Sequence, residues 1–239
     1  MTPLASFWFR HRNECISALV AAWPCEGRFV DVGGGNGFVA RRLADDGLDV
    51  MVVEPGADGA RSARERRGIA HVIQAPLAEA TAQLGPVGAI GAFDVVEHMA
   101  DDRAFVGQVA DVLGEGGMFY STVPAHGWLW SGADDAAGHF RRYTLGSYRA
   151  LLAERFEVVY ASYFFGALVP PAALLRALPY RCGRRAPPDA ADAAREHGTS
   201  GGLLTRLLAG ALRHEVRRIA AREPMALGSS LIVAARKRA

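Results

Sequence analysis

The stretch FVDVGGGNG, Phe29 to Gly37, constrains the fold more than any other segment of the chain. An apolar run ends in Asp31. Gly33, Gly35 and Gly37 follow at alternate positions, and then comes the helix-like FVARRLADDG. This reads as a strand, a tight turn and a helix. Glycine admits positive φ and carries no Cβ, so the turn can bring backbone against a ligand. A dinucleotide fingerprint, G-x-G-x-x-G, needs glycine at position 38, where this chain has Phe38. The second anchor is Glu54, at the end of VMVVE, with Pro55 turning the chain away. An acid at the tip of a second strand accepts hydrogen bonds from both hydroxyls of a ribose. Without the pyrophosphate fingerprint, adenosine with a compact tail fits the pair better than a nicotinamide dinucleotide.

Short apolar runs alternate with helix-like stretches from residue 28 to 123, the mark of βαβ units and a parallel sheet. RFVDV, DVMVVE, AHVIQA, VGAIGAF and GGMFYSTV read as five strands, with Asp101 or Asp102 capping a helix that runs to Leu113. EVVYASYF and the closing GSSLIVAARK are two more. Between those two lie about sixty residues that do not read as sheet. They comprise an apolar part broken by Pro170 and Pro171, a polar linker rich in Pro and Gly, and an amphipathic helix. On that helix Leu204, Leu208, Leu212, Val216 and Ile219 share one face.

Composition excludes several classes. A net charge of +2 lacks the footprint of a dedicated nucleic-acid binder. Three scattered cysteines offer neither a disulfide framework nor a cysteine zinc site, and they fit a reducing compartment. The first residues lack the pattern of a secretory signal, and no run of about 20 apolar residues is present to span a bilayer. The expected location is the cytoplasm.

VDVGGGNG, VVEPG, GAFDVVEHMADD and LGEGGMFYSTVPAH resemble, in order, the motifs of class I S-adenosylmethionine-dependent methyltransferases, with a likeness to ubiquinone-pathway members. The resemblance covers about residues 28 to 163. It implies a Rossmann-like, seven-stranded mixed α/β sheet with helices on both faces and an antiparallel last strand at the edge. A cap helix (1–27), a core (28–163 and 227–239) and a helical insertion (164–226) complete the expected architecture. It also implies S-adenosylmethionine as cofactor. Asp31, Gly33, Gly35 and Gly37 then line its methionine and ribose side, and Glu54 with Pro55 its ribose. Gln74 and Ala75 lie near the adenine, Asp94 near the cofactor, and Arg12 of the cap helix near its carboxylate.

Methyl transfer is an in-line displacement in which the protein supplies alignment and sometimes a base. The candidates lie beyond strands four and five. In DVVEH, a helical turn would set Asp94, Glu97 and His98 on one face, able to hold a hard divalent ion or to present His98 as a base. The favoured role for Glu97 and His98 is packing and helix-start bonding, and no metal is assigned. In PAHGWLWSGADDAAGHFRRYT, His126 and His139 are further candidate bases. Arg141 and Arg142 are a candidate clamp for an anionic group, with Trp128, Tyr143 and, from the N-terminal segment, Trp8 as substrate contacts. One arginine bound to Asp134 or Asp135 is the competing expectation.

The expected activity is transfer of the methyl of S-adenosylmethionine to a small-molecule acceptor, apolar or anionic, at oxygen before nitrogen. The rivals are a non-catalytic S-adenosylmethionine-binding protein and a nicotinamide oxidoreductase. The insertion is expected to act as a lid. The arginines of its amphipathic helix keep a peripheral membrane contact as the alternative.

Overall fold

The computed structural model describes residues 3–183 and 203–238, with side chains over 8–183 and 208–238. The polar part of the insertion, 184–202, lies outside the described residues.

A seven-stranded sheet of order β3-β2-β1-β4-β5-β7-β6 forms the centre. Its strands are β1 (Arg28–Val32), β2 (Val50–Val53), β3 (His71–Ile73), β4 (Val87–Phe93), β5 (Met118–Pro124), β6 (Phe156–Phe164) and β7 (Ser230–Lys237). The first five run parallel, and β7 pairs antiparallel with both β5 and β6. The last strand is therefore antiparallel, as expected, but it is not the edge. Leu231 to Ala235 are all buried, which suits a strand covered on both faces, and β6 takes the edge instead.

The helices in chain order are α1 (Pro3–Ala22), α2 (Phe38–Asp45), α3 (Ala57–Glu65), α4 (Leu77–Ala80), α5 (Asp102–Val112), α6 (Gly132–Ala137) and α7 (Leu145–Leu152). The insertion then adds α8 (Val169–Ala172), a π-helical turn (Ala173–Ala177), α9 (Leu178–Arg181) and α10 (Leu203–Ala220). Asp101 caps α5, its side chain accepting from the Ala104 N–H at 2.9 Å.

Two apolar layers sandwich the sheet. On one face Val30, Ile90, Phe119 and Val233 pack with Val106 and Val109 of α5 and with Tyr148 and Leu152 of α7. On the other, Phe29, Val52, Tyr120 and Ile232 pack with Leu19 of α1, Leu43 of α2, and Leu212 and Ile219 of α10. Leu208, Leu212, Val216 and Ile219 of the stripe read on the insertion helix thus meet the sheet, alongside α1. Burial of that stripe, at about 25 cal/mol per Å², is what holds the helix down.

Glu215 of α10 fixes the junction chemically. Its carboxylate accepts from the backbone N–H groups of Phe165 (2.9 Å) and Gly166 (2.7 Å) and meets His11 Nε2 of α1 at 2.9 Å. Phe165 sits at φ 60, a left-handed conformation costly for a side chain of this size. The carboxylate stabilises that turn.

Candidate active site

Open parallel sheets bind ligands beyond the carboxyl ends of their strands, where the strand order reverses. Here that point lies between β1 and β4, and most of the candidate residues stand around it. Gly33 leaves β1 at φ 65, and a Cβ there would lie 2.7 Å from Val95 Cγ2, so glycine is required. Gly35, at φ 53, faces open space: a Cβ on it would meet nothing within 4 Å. Its N–H donates to Glu54 Oε2 at 2.8 Å, while Glu54 Oε1 accepts from the Gly56 N–H at 2.7 Å. Each oxygen keeps a second lone pair, so the carboxylate is fixed in place and still able to receive two hydroxyls.

Asp31 is buried, and its Oδ2 has no hydrogen-bond partner among the described residues. Burial pushes its carboxyl up to about 7 against the pull of Arg12. An orphaned buried oxygen beside an open glycine loop is the kind of group a ligand satisfies. Gln74 is exposed and Ala75 half-buried just after β3, one strand beyond Glu54, and Pro55 is exposed. The donor and acceptor set therefore fits an adenosine-type cofactor.

DVVEH does not form the expected single helical face. Asp94 takes φ 57, and only Val96–His98 make a short 3-10 turn. Asp94 points towards α1. Its Oδ1 accepts from the Thr122 hydroxyl at 2.9 Å, and its Oδ2 lies 2.9 Å from Arg12 Nε. Arg12 also donates to the Phe93 carbonyl at 2.8 Å and lies against the Trp8 ring, which stacks on Phe165. Arg12 thus braces the tip of β4, and the charge expected for a cofactor carboxylate is held by Asp94. Trp8, expected at the substrate, is part of that packing.

Glu97 and His98 turn the other way and meet His139 from the loop after α6. One ligand atom from each of the three lies within 4.8 Å of the others. The His98 and His139 rings meet edge to face, with centroids 4.8 Å apart. Glu97 is 1% exposed, and neither of its carboxyl oxygens has a hydrogen-bond partner among the described residues. Burial, then the Asp94 charge, pushes its carboxyl up to about 9. Burial and His139 hold His98 below its ordinary value.

Asp134 organises the loop. It closes a capping box with Ser131 and bonds His139 Nδ1 at 2.9 Å. It also receives both arms of the Arg142 fork, at 2.7 and 3.1 Å. Burial alone would raise its carboxyl, but His139 and Arg142 bring it down to about 2. Arg141 pairs with Asp102 at 2.7 Å and donates to the Ala100 carbonyl. This corrects the expected clamp: two different carboxylates already hold the two guanidiniums. Tyr143 likewise is buried, with its hydroxyl on Asp102 at 2.8 Å.

His126 lies two residues beyond β5 at φ 60, its ring stacked on Tyr163 with centroids 4.8 Å apart and planes at 9°. Its Nε2 is buried and unpartnered among the described residues. Burial first, then the Arg142 charge, holds the imidazole below its ordinary pKa. Trp128, 42% exposed, lies beside it with centroids 5.5 Å apart. The sequence offered Asp134 only as one of two partners for an arginine and did not mark Thr122 or Glu215 as site-building groups. Their partners lie 8, 28 and 49 or more positions away, and no local spacing encodes such pairs.

The glycine loop, the acid at the tip of β2 and the strand order together have the form of a class I S-adenosylmethionine-dependent methyltransferase. The chain belongs to that class: the family model "Methyltransferase domain" matches residues 8–159. It is 29% identical over 109 residues to a ubiquinone biosynthesis O-methyltransferase of Pectobacterium carotovorum, covering 43% of this chain and 46% of that protein. Over 122 residues it is 30% identical to a "Probable S-adenosylmethionine-dependent methyltransferase" of Mycobacterium tuberculosis, covering 51% and 44%. The chain therefore matches less than half the length of these relatives.

Among solved structures, a chain of the Haloferax volcanii complex between the Trm112 activator and a methyltransferase aligns with a TM-score of 0.59. The identity is 16%, over 96% of this chain and 91% of that one. The N-methyltransferase NodS of Bradyrhizobium japonicum, solved with S-adenosylhomocysteine, aligns at 0.57 and 11% identity, over 96% and 87%. These similarities show the fold. The chain carries a methyltransferase domain of the S-adenosylmethionine-dependent class. Among the described residues no helix is long and apolar enough to cross a membrane.

Proposed function

We propose that the chain methylates a small molecule, at oxygen in preference to nitrogen, in the space between the β4 and β5 tips. The observation that carries this reading is His126: a half-buried imidazole whose shielded Nε2 is unpartnered among the described residues, fixed by its stack on Tyr163. A hydroxyl must lose its proton as it attacks, and a neutral imidazole held below its ordinary pKa stands ready to take it. Bound S-adenosylmethionine supplies an electrophilic sulfonium methyl. Glu54 and the Gly33–Gly37 loop would hold its ribose, Asp31 would face its polar tail, and Gln74 and Ala75 would flank its base. Arg12 and Asp94 would support that tail by keeping the β4 tip in place.

The insertion supports a lid reading. Asp135 ties the loop after β5 to α9, accepting from Trp130 Nε1 at 2.9 Å and from the Tyr180 hydroxyl at 2.8 Å. Leu174, Leu175 and Leu178 on the adjoining segment are more than half exposed. Exposed apolar side chains beside a site favour an acceptor with apolar character.

The test uses methyl-labelled S-adenosylmethionine, the purified protein and an extract of its source cells, with Glu54→Ala as control. Label should enter low-molecular-weight products and partition into an organic phase, and the control should lose most of it. Label confined to protein or nucleic acid, or absent, would overturn the reading.

A further inference from the structure

The cluster of Glu97, His98 and His139 goes beyond the packing role expected for it. The geometry points to a binding site for a first-row divalent transition ion, held by Glu97, His98 and His139. Three observations carry it. The ligand atoms converge to within 4.8 Å, from the 3-10 turn after β4 and from a loop some forty residues further on. Glu97 is fully buried with both carboxyl oxygens unpartnered among the described residues, so something outside the chain is needed to satisfy it. One imidazole is already oriented from behind: His139 Nδ1 is bound to Asp134 at 2.9 Å, which fixes that ring by one of its two nitrogens. An outer carboxylate or carbonyl that fixes the second nitrogen is the usual support of a metal-ligating histidine.

The ligand types select the ion. Two imidazoles and one carboxylate suit Zn2+, Co2+ or Fe2+, whereas Mg2+ takes oxygen ligands and keeps its waters. Asp94, which the DVVEH spacing grouped with Glu97 and His98, is outside the set. Thr122 holds one of its oxygens, and Arg12, a fixed positive charge, faces the other. Three protein ligands leave a position open for a fourth. With an acceptor bound at that position, the ion would hold and polarise its oxygen. The site stands on its own geometry, and this task rests on the methyl-transfer reading above.

The experiment is a Co2+ titration of the untagged, chelator-stripped protein, followed by visible absorption. The expected result is one equivalent bound, with d–d bands of nitrogen and oxygen ligation. His139→Ala and Glu97→Gln should each weaken uptake more than about tenfold, since loss of even an outer partner costs that much. Asp94→Asn should bind as the wild type does. A melting-temperature rise with S-adenosylhomocysteine in each variant shows that it folds. If that rise is missing in the wild type while Co2+ binds, the cofactor reading fails and the metal site stands. No Co2+ uptake by the wild type would overturn the site, and so would undiminished uptake by His139→Ala. A thiolate-to-cobalt charge-transfer band would also overturn it, because it would place the ion at the buried His11, Cys15 and Glu215 group.

Discussion

Asp31 is a carboxyl whose environment opposes its charge, and stability should record this. Its folded pKa is about 7 against 3.8 for the free group, with burial the main cause. The folded chain therefore holds this proton more tightly than the unfolded chain. The contribution is complete below about pH 4 and is lost as pH rises through about 7. In Asp31→Asn that decline should vanish, which urea denaturation across this range would show; an unchanged slope would remove Asp31 as its source. The two neighbouring arginines separate buried from exposed pairing. Arg142→Ala strands the buried Asp134 and should cost about 3 kcal/mol, whereas Arg141→Ala, losing a more exposed pair, should cost about 1 kcal/mol or less. Equal losses in chemical denaturation would contradict this assignment. The residue scale was also the least legible in sequence. GHFRRYT marks a dense polar loop, yet its spacing leaves open which of its two arginines returns to which of Asp134 and Asp135. Nor does DVVEH disclose the positive φ that sends Asp94 away from Glu97.

At the scale of elements, legibility followed locality. Arg28–Val32 and Val87–Phe93 can be read to the residue, because buried apolar runs are bounded by turn glycines or a reversing acid. The place of β7 between β5 and β6 could not be read, since pairing partners more than sixty residues apart leave no local trace. The insertion helix was visible from its stripe, but its anchor was not. Glu215 joins α10 to α1 and to the strained turn at Phe165 through three polar contacts. Glu215→Ala would leave buried donors unpaired and should destabilise the protein by about 3 kcal/mol. Amide exchange at Phe165 and Gly166 should quicken along with it. If exchange there is unaltered, the carboxylate does not hold this junction.

For the whole molecule, the sheet, its two apolar layers and the clasped insertion serve one arrangement. The strand tips carry the glycine loop and Glu54, with Asp94 and His126 just beyond β4 and β5, and α1 packs with α10 on one face of the sheet. Ligand binding to the folded state alone should stabilise it by mass action. The most direct measurement is therefore a calorimetric titration of the wild type and Glu54→Ala with S-adenosylhomocysteine and, separately, with NADH. The wild type should bind one equivalent of S-adenosylhomocysteine, Glu54→Ala should bind it more weakly by about tenfold or more, and NADH should not bind. Binding of NADH in place of S-adenosylhomocysteine, or equal affinity in the two proteins, would contradict this expectation.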